Sequence, residues 1–457
     1  MDTLLHIVQT INFYLSDYIL VFLLVGTGLF FSIRTRFVQV RCFGEGMRRV
    51  FGNFSMRGGA QKGGLSSFQA LTTAIAAQVG TGNIVGSCGA ILVGGPGAIF
   101  WMWIIAFFGM ATIYAEAVLA QETRVVHEDG SVSGGPVYYI KRAFNNGFGT
   151  FLAVFFAIAI TLALGFIGCM VQSNSIGQTC STAFGIPAWV IGIVVAILAA
   201  IIFLGGVNRV AAVTEKLVPI MAVLYLVGGL ILLILRLPYL PETIGMIFKY
   251  AFFPNAIIGG GLGYALKTAI SQGVKRGLFS NEAGSGSAPC AAAAASCDDP
   301  VKMGFVQALG VLIDTVVICS CTAFMMLLAP ANVTTGLTGM DLLQAAAQYH
   351  LGSFGVVFIA VTLALFSFST FIGILFYARS NVAYLFGDRW GWQTAYKVLA
   401  LVMLMVGGLE AYTVVWDLGD VGIGLMTIFN LIALYPMSGE AIAALRDYER
   451  RKHLTQN

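Results

Sequence analysis

The residues best suited to hold a ligand lie in an apolar segment at 67–93. There the sequence Ala74-Ile-Ala-Ala-Gln-Val-Gly-Thr-Gly-Asn-Ile-Val85 places two glycines in the middle of the segment. Glycine allows a chain to leave the helical conformation, and N–H and C=O groups released in apolar surroundings must find partners inside the protein. A bound ligand and ion can be those partners. Alternatively, the two glycines serve close packing between helices.

Each side of this interruption has a chemical use. The backbone N–H groups of Thr81, Gly82 and Asn83 open a new half-helix, whose partial positive charge suits a carboxylate. The carbonyls that end the preceding half-helix, around Ala76 and Val79, point the other way and suit a hard cation such as sodium. The pattern therefore predicts a site in which a zwitterion and a cation share one break.

A second segment, near 256–297, is interrupted in the same way. From Ala269 to Pro289 it reads AISQGVKRGLFSNEAGSGSAP, which puts glycine, hydroxyl and charged residues inside an apolar stretch. We expect the break near Ser271–Gly273. Interrupted helices at matching positions of two halves of a chain are the best sequence indication of a transporter's binding site near the middle of the membrane.

Polar side chains on two further segments could complete such a site. Ser367, Ser369 and Thr370 form a cluster whose neutral oxygens match sodium better than a transition metal. These hydroxyls could instead bond back to carbonyls of their own helix. Gln172, on the fourth apolar segment, could meet the amino or carboxylate group of a substrate, or could equally hydrogen-bond to a neighbouring helix.

Acidic residues inside apolar segments are functional candidates by default. Glu116, Asp314 and Glu410 lie in or at the edge of such segments, and Glu282 follows Arg276 by six residues. These charges could pair as a gate or could simply neutralise one another. Structural pairing is the favoured interpretation.

The elements that must position these residues are membrane-spanning helices. Hydrophobic residues make up 58% of the 457 residues and charged residues only 10%, against about 25% charged in soluble proteins. A spanning helix needs about 20 apolar residues. By that rule we count eleven segments, near 13–33, 67–93, 95–121, 148–175, 185–205, 209–236, 256–297, 300–329, 353–378, 393–414 and 415–436.

These segments divide into one leading helix, at 13–33, and two sets of five, at 67–236 and 256–436. Because five is an odd number, the two sets have opposite orientations. The predicted fold class is therefore an all-α integral membrane protein with a 5+5 inverted repeat and one extra N-terminal helix. The whole chain, 1–457, is expected to form a single transmembrane domain with a tail at 437–457.

The basic residues predict the orientation. The loop after the first segment contains Arg34, Arg36, Arg41, Arg48, Arg49, Arg57 and Lys62. Cytoplasmic loops retain Lys and Arg, so this loop is placed in the cytoplasm. We expect the N-terminus outside, the C-terminus in the cytoplasm, and the chain in the inner (plasma) membrane of the cell.

Other classes of function find little support in the sequence. It has no GxxxxGK[ST] phosphate loop, and its eight cysteines show no metal-site or redox spacing. A channel would need a continuous polar stripe or charged ring rather than discontinuous helices. We expect no enzymatic activity, no cofactor apart from a coupling sodium ion, no nucleic-acid partner and no obligate protein partner. The expected partners are a small neutral amino acid, sodium and the lipid bilayer.

Three motifs resemble the alanine/glycine:cation symporter family of the amino acid-polyamine-organocation superfamily. They are Gly80-Thr-Gly-Asn-Ile-Val-Gly86, Gly94-Gly-Pro-Gly-Ala-Ile-Phe-Trp-Met-Trp103 and Arg276-Gly-Leu-Phe-Ser-Asn-Glu-Ala-Gly-x-Gly-Ser-Ala-Pro289. Further matches at 171–175, 314–315 and 368–370 extend the resemblance over most of the chain. The resemblance implies a leucine-transporter-type fold, sodium as coupling ion, and alanine or glycine as substrate.

The resemblance also implies roles for individual residues. The substrate carboxylate would lie on the N–H groups of Thr81 and Gly82. The expected sodium ligands are Ala76, Val79, Phe366, Ser369 and Thr370. The expected substrate-binding residues are Gln78, Thr81, Gly82, Asn83, Gly165, Gln172, Ser271, Gly273 and Ile374.

Two positions depart from the family pattern. Ile374 stands where many members have Trp, and Cys169 stands where many have Asn; both are expected near the substrate. Isoleucine in place of an indole would enlarge or reshape the pocket. A larger neutral amino acid such as glutamine is therefore an alternative substrate, and proton coupling is an alternative to sodium.

Overall fold

The computed structural model describes residues 2–51, 72, 75, 78–128, 132–205, 207–253, 262–337, 339–408 and 412–456. Within these ranges the chain is almost entirely helical. Two short antiparallel strands, Val125–Val126 and Val132–Ser133, pair with each other. The predicted sodium ligand Ala76 and the acidic residue Glu410 lie outside the described residues.

The apolar sequence and its glycine, proline and capping residues set the helix bounds. The α-helices are Asp2–Tyr14, Leu20–Arg34, Val38–Arg41, Phe43–Phe51, Ser87–Gly94, Gly97–Thr123, Pro136–Ala143, Gly147–Leu162, Cys169–Phe184, Ala188–Phe203, Val207–Leu235, Leu240–Phe252, Leu262–Asn281, Ala288–Ala294, Pro300–Val311, Ser320–Leu327, Ala331–Thr334, Met340–Leu351, Ser353–Phe386, Trp390–Gly407 and Tyr412–Gln456. Wider π-helical turns occupy Leu15–Ile19, Gly82–Gly86, Ala163–Gly168 and Leu312–Cys319, and a 3-10 turn occupies Leu237–Tyr239.

Local chemistry explains several helix ends. The Asn146 side chain accepts a hydrogen bond from Gly149 N, at 3.1 Å, and so caps the helix that starts at Gly147. Asp299 accepts from Val301 N, at 3.0 Å, ahead of Pro300 at the first helical position. Gly185 ends its helix in the left-handed conformation, with φ of 66°.

Seven helices in the described part of the chain are long and apolar enough to cross a membrane. They are His6–Arg34, Gly97–Thr123, Gly147–Phe184, Ala212–Leu235, Pro300–Leu327, Ser353–Phe386 and Val415–Lys452. Two shorter apolar helices cover Gly82–Gly94 and Ala188–Phe203. The chain is thus a helical protein with several membrane spans, whereas the count of eleven and the inverted repeat stay predictions.

Two elements differ from their expected lengths. The fourth predicted segment, 148–175, continues to Phe184 because the π-helical turn at Ala163–Gly168 does not end it. Gln172 therefore lies inside the helix rather than near its end. The last helix, Tyr412–Gln456, runs without a stop through the predicted tail at 437–457, since Pro436 is accommodated inside it.

The final turns of the last helix dock on the short helix Phe43–Phe51. Glu45 accepts hydrogen bonds from Tyr448 Oη, at 2.9 Å, and Lys452 Nζ, at 2.7 Å. Partial burial opposes ionisation of Glu45, but these bonds and the charges of Lys452 and Arg48 outweigh it and lower its pKa from 4.5 to about 2. The carboxylate is therefore ionised throughout the physiological range.

Candidate substrate and cation site

A small cavity lies beside the first break, which we define as residues 79–81. It contains about 20 Å³ for the centres of water-sized molecules, enough for one or two waters. Its walls come from five separate stretches of the chain. The lining residues are Gln78, Gly80, Thr81, Gly82, Ala163, Leu164, Gly168, Val171, Gln172, Phe279, Glu282, Thr370, Ile374, Gly419 and Ile423.

Several polar atoms of this cavity are buried without a protein partner in the described part of the chain. They are both amide atoms of Gln78, the hydroxyl of Thr81 and the side-chain carbonyl of Gln172. A buried polar group without a partner destabilises the fold by about 1–3 kcal/mol. Since all three residues line one cavity, a polar ligand there would satisfy groups that the chain itself leaves unpaired.

A cluster of neutral oxygens adjoins the same break. Thr370 Oγ1 donates a hydrogen bond to Val79 O at 3.1 Å. The neighbouring Ser369 Oγ lies 2.8 Å from Phe366 O and 3.1 Å from Met221 Sδ. Carbonyl and hydroxyl oxygens are the ligands of a hard cation. Four of the five predicted sodium ligands thus lie on two adjoining elements, and the donor set fits sodium as a transported ion.

The backbone at position 80 lies so close to Thr370 that glycine is required there. A Cβ atom at position 80 would lie 1.9 Å from Thr370 Oγ1 and 2.8 Å from Thr370 Cβ. No side chain fits there unless the helix carrying Thr370 moves away. The glycine therefore brings the break against the hydroxyl cluster.

The structure places Asn83 behind the break rather than on the cavity wall. Its Oδ1 accepts from Gly80 N at 2.8 Å, and its Nδ2 donates to Asp314 Oδ1 at 2.6 Å. Asp314 also accepts from Ser280 Oγ, at 2.6 Å, and Thr315 Oγ1, at 2.8 Å. The buried Asp314 carboxyl thereby fixes the Asn83 amide, which in turn holds the backbone of the first break.

The second break begins nine residues after Gly273, the last residue of its expected position. The helix Leu262–Asn281 is continuous through Ser271–Gly273, and the interruption covers 282–287, before the short helix Ala288–Ala294. Glu282 there has φ of 56°, and Gly284 and Gly286 have φ of 90° and 85°. The expectation of a break at Ser271–Gly273 was wrong, because the positive-φ residues Glu282, Gly284 and Gly286, at alternate positions, lie downstream of it.

Glu116 supplies partners for the second break. Its carboxylate accepts from Gly284 N at 2.9 Å, Gly286 N at 3.1 Å and Asn430 Nδ2 at 2.6 Å. Glu282 accepts from Ser287 Oγ. The expected pairing of Glu282 with Arg276 is not formed, since Glu282 turns inward while Arg276 pairs elsewhere.

Four predicted residues besides Asn83 lie outside the cavity wall. Ser271 donates to Asp17 Oδ1 of the first span at 2.8 Å. Gly273 allows close packing against Trp101 and Ala98. Gly165 packs against Ala378 and Tyr396. Cys169 is buried one residue beyond the lining residue Gly168, and its thiol donates to Gly165 O at 3.1 Å.

One end of the cavity lies next to an aromatic pair and an ion pair. Phe279, a lining residue, stacks on Trp416 with ring centroids 4.7 Å apart. One turn earlier on the same helix, Arg276 makes two contacts of 3.1 Å to the Asp420 carboxylate. Lys275 reaches the same carboxylate at 2.8 Å. These contacts join the helices Leu262–Asn281 and Tyr412–Gln456 across that end.

A comparison with known protein families shows which family has this chain as a member. The model of the sodium:alanine symporter family matches residues 1–457. The chain belongs to the sodium:alanine symporter family. The resemblance seen in the sequence motifs is thereby confirmed. The protein is a multi-pass membrane transporter of a sodium/amino-acid symporter family and not an enzyme.

Relatives of this sodium:alanine symporter family member carry two substrate names. The probable sodium/glutamine symporter GlnT of Bacillus subtilis is 41% identical over 98% of this chain and 91% of its own length. The sodium/alanine symporter AgcS of Methanococcus maripaludis is 38% identical over 99% of both chains. The amino-acid carrier protein AlsT of Bacillus subtilis is 40% identical over 96% of this chain and 91% of its own length.

Solved structures confirm the type of fold. MhsT in complex with L-phenylalanine aligns with a TM-score of 0.59 at 14% identity, over 82% of this chain and 89% of that chain. A manganese transporter of Eremococcus coleocola aligns with a TM-score of 0.52 at 14% identity, over 87% of this chain and 82% of that chain. Both are leucine-transporter-type folds, so the symporter shares that architecture.

Sequence reasoning missed several apolar residues of the symporter's cavity wall, among them Phe279 and Ile423. Phe279 lies within the long motif 276–289, where the polar residues drew attention instead. Ile423 belongs to a uniformly apolar stretch of the last helix, which carries no signal that distinguishes a pocket wall from a core residue. For Phe279 the available signal was an aromatic residue between charged and hydroxyl residues in a predicted broken helix.

Proposed function

We propose that the protein is a secondary active symporter that couples inward sodium movement to uptake of a small neutral amino acid. Alanine and glycine are the first candidate substrates. One observation carries this proposal. The unpartnered polar atoms of Gln78, Thr81 and Gln172 share a cavity with Thr370, whose hydroxyl meets Val79 O. The first group suits a zwitterion, the second a cation, and both lie at one break.

The cavity walls support a small, uncharged side chain. Phe279, Ile374 and Ile423 form apolar surfaces, against which a charged side chain would lose its hydration. The present volume of about 20 Å³ favours alanine or glycine over glutamine. Even alanine requires the walls to move apart, which agrees with a site that closes between two access states.

The ion pair of Arg276 with Asp420 supports alternating access. It joins the two helices that contribute Phe279 and Ile423 to the cavity wall. A substrate that enters between these helices must separate them. Rocking of one helix group against the other about a fixed central site is the mechanism expected for transporters with broken helices.

The proposed topology places the N-terminus outside and the C-terminus in the cytoplasm of the inner (plasma) membrane of the cell. The basic residues at 34–62 support this orientation, because cytoplasmic loops retain Lys and Arg. Labelling of a single cysteine introduced at position 389 by an impermeant maleimide tests it in a background without the native cysteines. Labelling of this cysteine in intact cells would show that position 389 is outside and would overturn the proposed topology.

Uptake by the purified chain in proteoliposomes tests the function. Radiolabelled alanine should accumulate above its equilibrium level only under an inward sodium gradient. A panel of glycine, serine, glutamine, leucine and D-alanine as competitors then ranks the substrates. Equal accumulation under a proton gradient without sodium would overturn sodium coupling, and stronger competition by glutamine than by alanine would overturn the substrate assignment.

A further inference from the structure

A basic groove lies far from the transport site, between the end of the first span and the final part of the last helix. Its volume is about 400 Å³. The wall from the last helix consists of residues at spacings of three and four, which form one helical face. The lining residues are Arg34, Gly439, Ile442, Ala443, Arg446, Asp447 and Arg450.

Contacts on other sides of the last helix hold the groove in place. Glu449 pairs with Arg41 at 2.8 Å, and Arg451 pairs with Asp299 at 2.8 Å. Lys452 pairs with Glu45 at 2.7 Å. The helix end is thus anchored to three other parts of the chain, and the groove is a feature of the packed fold rather than of a free tail.

The groove carries uncompensated positive charge. Arg450 is neutralised locally by Asp447, at 2.6 Å. The guanidinium of Arg34 lies over the Phe30 ring, 5.3 Å from its centroid. In the described part of the chain neither Arg34 nor Arg446 has an ion pair with a carboxylate. Two exposed guanidinium groups therefore face one groove and lack an anionic partner.

The surface next to the groove is apolar and suits acyl chains. Leu29 is 41% exposed and Ile33 is 58% exposed on the first span, while Tyr435 is 38% exposed on the last helix. Tyr435 also joins the two helices, through a 2.8 Å hydrogen bond to Thr27 and a ring contact with Phe30. An apolar seam thus runs along both helices and ends at Arg34 and the basic groove.

We propose that this groove binds the headgroup of an anionic phospholipid, with its phosphate between Arg34 and Arg446 and its acyl chains along the seam beside Tyr435. Guanidinium groups bind phosphate oxygens through paired hydrogen bonds. Basic pockets between spanning helices at the cytoplasmic side favour anionic lipids. The charge and the adjoining apolar strip match a lipid, whereas a soluble anion would use only the charge.

Such a lipid would connect the first span to the helix that carries Asp420 and Ile423. Ile423 lines the cavity of the transport site, and Asp420 pairs with Arg276 beside it. Bound lipid would therefore stabilise the packing against which the closing helix Leu262–Asn281 moves. We expect anionic lipid to raise both the thermal stability of the purified protein and its rate of uptake.

The experiment measures the unfolding temperature of the full chain in detergent with added phosphatidylglycerol, cardiolipin or phosphatidylcholine. Phosphatidylglycerol and cardiolipin should raise it by about 3 °C or more, because a ligand that binds only the folded state stabilises it. Phosphatidylcholine should not. The double variant Arg34→Gln/Arg446→Gln should lose the shift, while Arg389→Gln, an exposed arginine elsewhere, should keep it.

Native mass spectrometry supplies a second measurement. It should show retained phosphatidylglycerol on the wild type and on Arg389→Gln, and at least fivefold less on the double variant. Should the double variant fail to fold, Arg34→Lys/Arg446→Lys keeps the charge without the planar fork, and its lipid occupancy should fall. Equal stabilisation by inorganic phosphate would overturn the lipid assignment, as would equal lipid retention by all variants.

Discussion

The two breaks of the chain differ in how completely the protein itself satisfies their polar groups. At the second break a carboxylate does so: Glu116 accepts from Gly284 N and Gly286 N, and Glu282 accepts from Ser287. At the first break Asn83 accepts from Gly80 N, but the side chains of Thr81 and of the adjacent Gln78 have buried polar atoms with no protein partner among the described residues.

This difference separates a structural break from a binding break. Groups released from a helix inside a membrane need partners, and a carboxylate built into the protein removes that need. The second break therefore has a structural role beside the cavity. The first break, in contrast, presents polar groups that a zwitterion and a cation can satisfy. Substitutions at the two breaks should accordingly affect different measurements.

The largest effect on transport is expected at Gly80. Gly80→Ala would place a methyl group 1.9 Å from Thr370 Oγ1, so the helix carrying Thr370 must shift. Overpacking of this kind destabilises by about 1–3 kcal/mol, which predicts a loss of sodium-driven uptake of about tenfold or more. The control is Gly89→Ala, because among the described residues an added Cβ there would meet no atom of another element within 4 Å. Similar uptake by the two variants would remove the first break from the transport site.

Loss of the Thr370 hydroxyl should weaken sodium binding specifically. Thr370→Val keeps the shape but removes an oxygen ligand, so the sodium concentration for half-maximal uptake should rise about tenfold. Thr362→Val is the matched control, because among the described residues this buried hydroxyl of the same helix bonds only to carbonyls of its own helix, at 2.7 Å to Phe358 O and 3.2 Å to Ile359 O. A sodium dependence unchanged from that of Thr362→Val would place the cation elsewhere.

A larger side chain at position 374 should change selectivity more than overall rate. Ile374 is buried in the cavity wall, and Ile374→Trp would narrow the space for a substrate side chain. The ratio of glycine to glutamine uptake should rise about fivefold, which corresponds to roughly 1 kcal/mol. Ile374→Leu, which conserves volume, should keep the wild-type ratio. A profile that is the same in all three proteins would show that this side chain does not contact the substrate.

A substitution at the second break should lower the thermal stability of the protein and should change the transport constants least. Glu116→Gln places an amide where three donors converge, and hydrogen bonds to a charged group contribute about 1.5–3 kcal/mol. The unfolding temperature should fall by several degrees, while the half-saturation constants for substrate and sodium change less than about twofold. Glu122→Gln, exposed near the end of the same helix, is the control. A tenfold loss of substrate affinity in Glu116→Gln would make the second break a binding break too.

Local sequence signals found the first break because its glycine pair lies directly at the bend. The same reasoning misplaced the second break, since polar residues at 271–276 also interrupt the apolar pattern without ending the helix. There the tertiary structure uses Ser271 for a contact with Asp17 and Arg276 for the pair with Asp420. A polar residue in an apolar helix indicates a partner but does not identify it.

The sequence by itself determined the helical membrane class, the family, and the residues Val79, Thr81 and Thr370 of the candidate site. These follow from periodic apolar runs and from glycine and hydroxyl motifs that are local in the chain. Only the tertiary structure decided which polar groups remain unpartnered, because that depends on residues far apart in sequence. The amide of Asn83 donates a hydrogen bond to Asp314, and Gly284 N donates one to Glu116. Gln78, in contrast, lines a cavity together with Gln172 and Ile423.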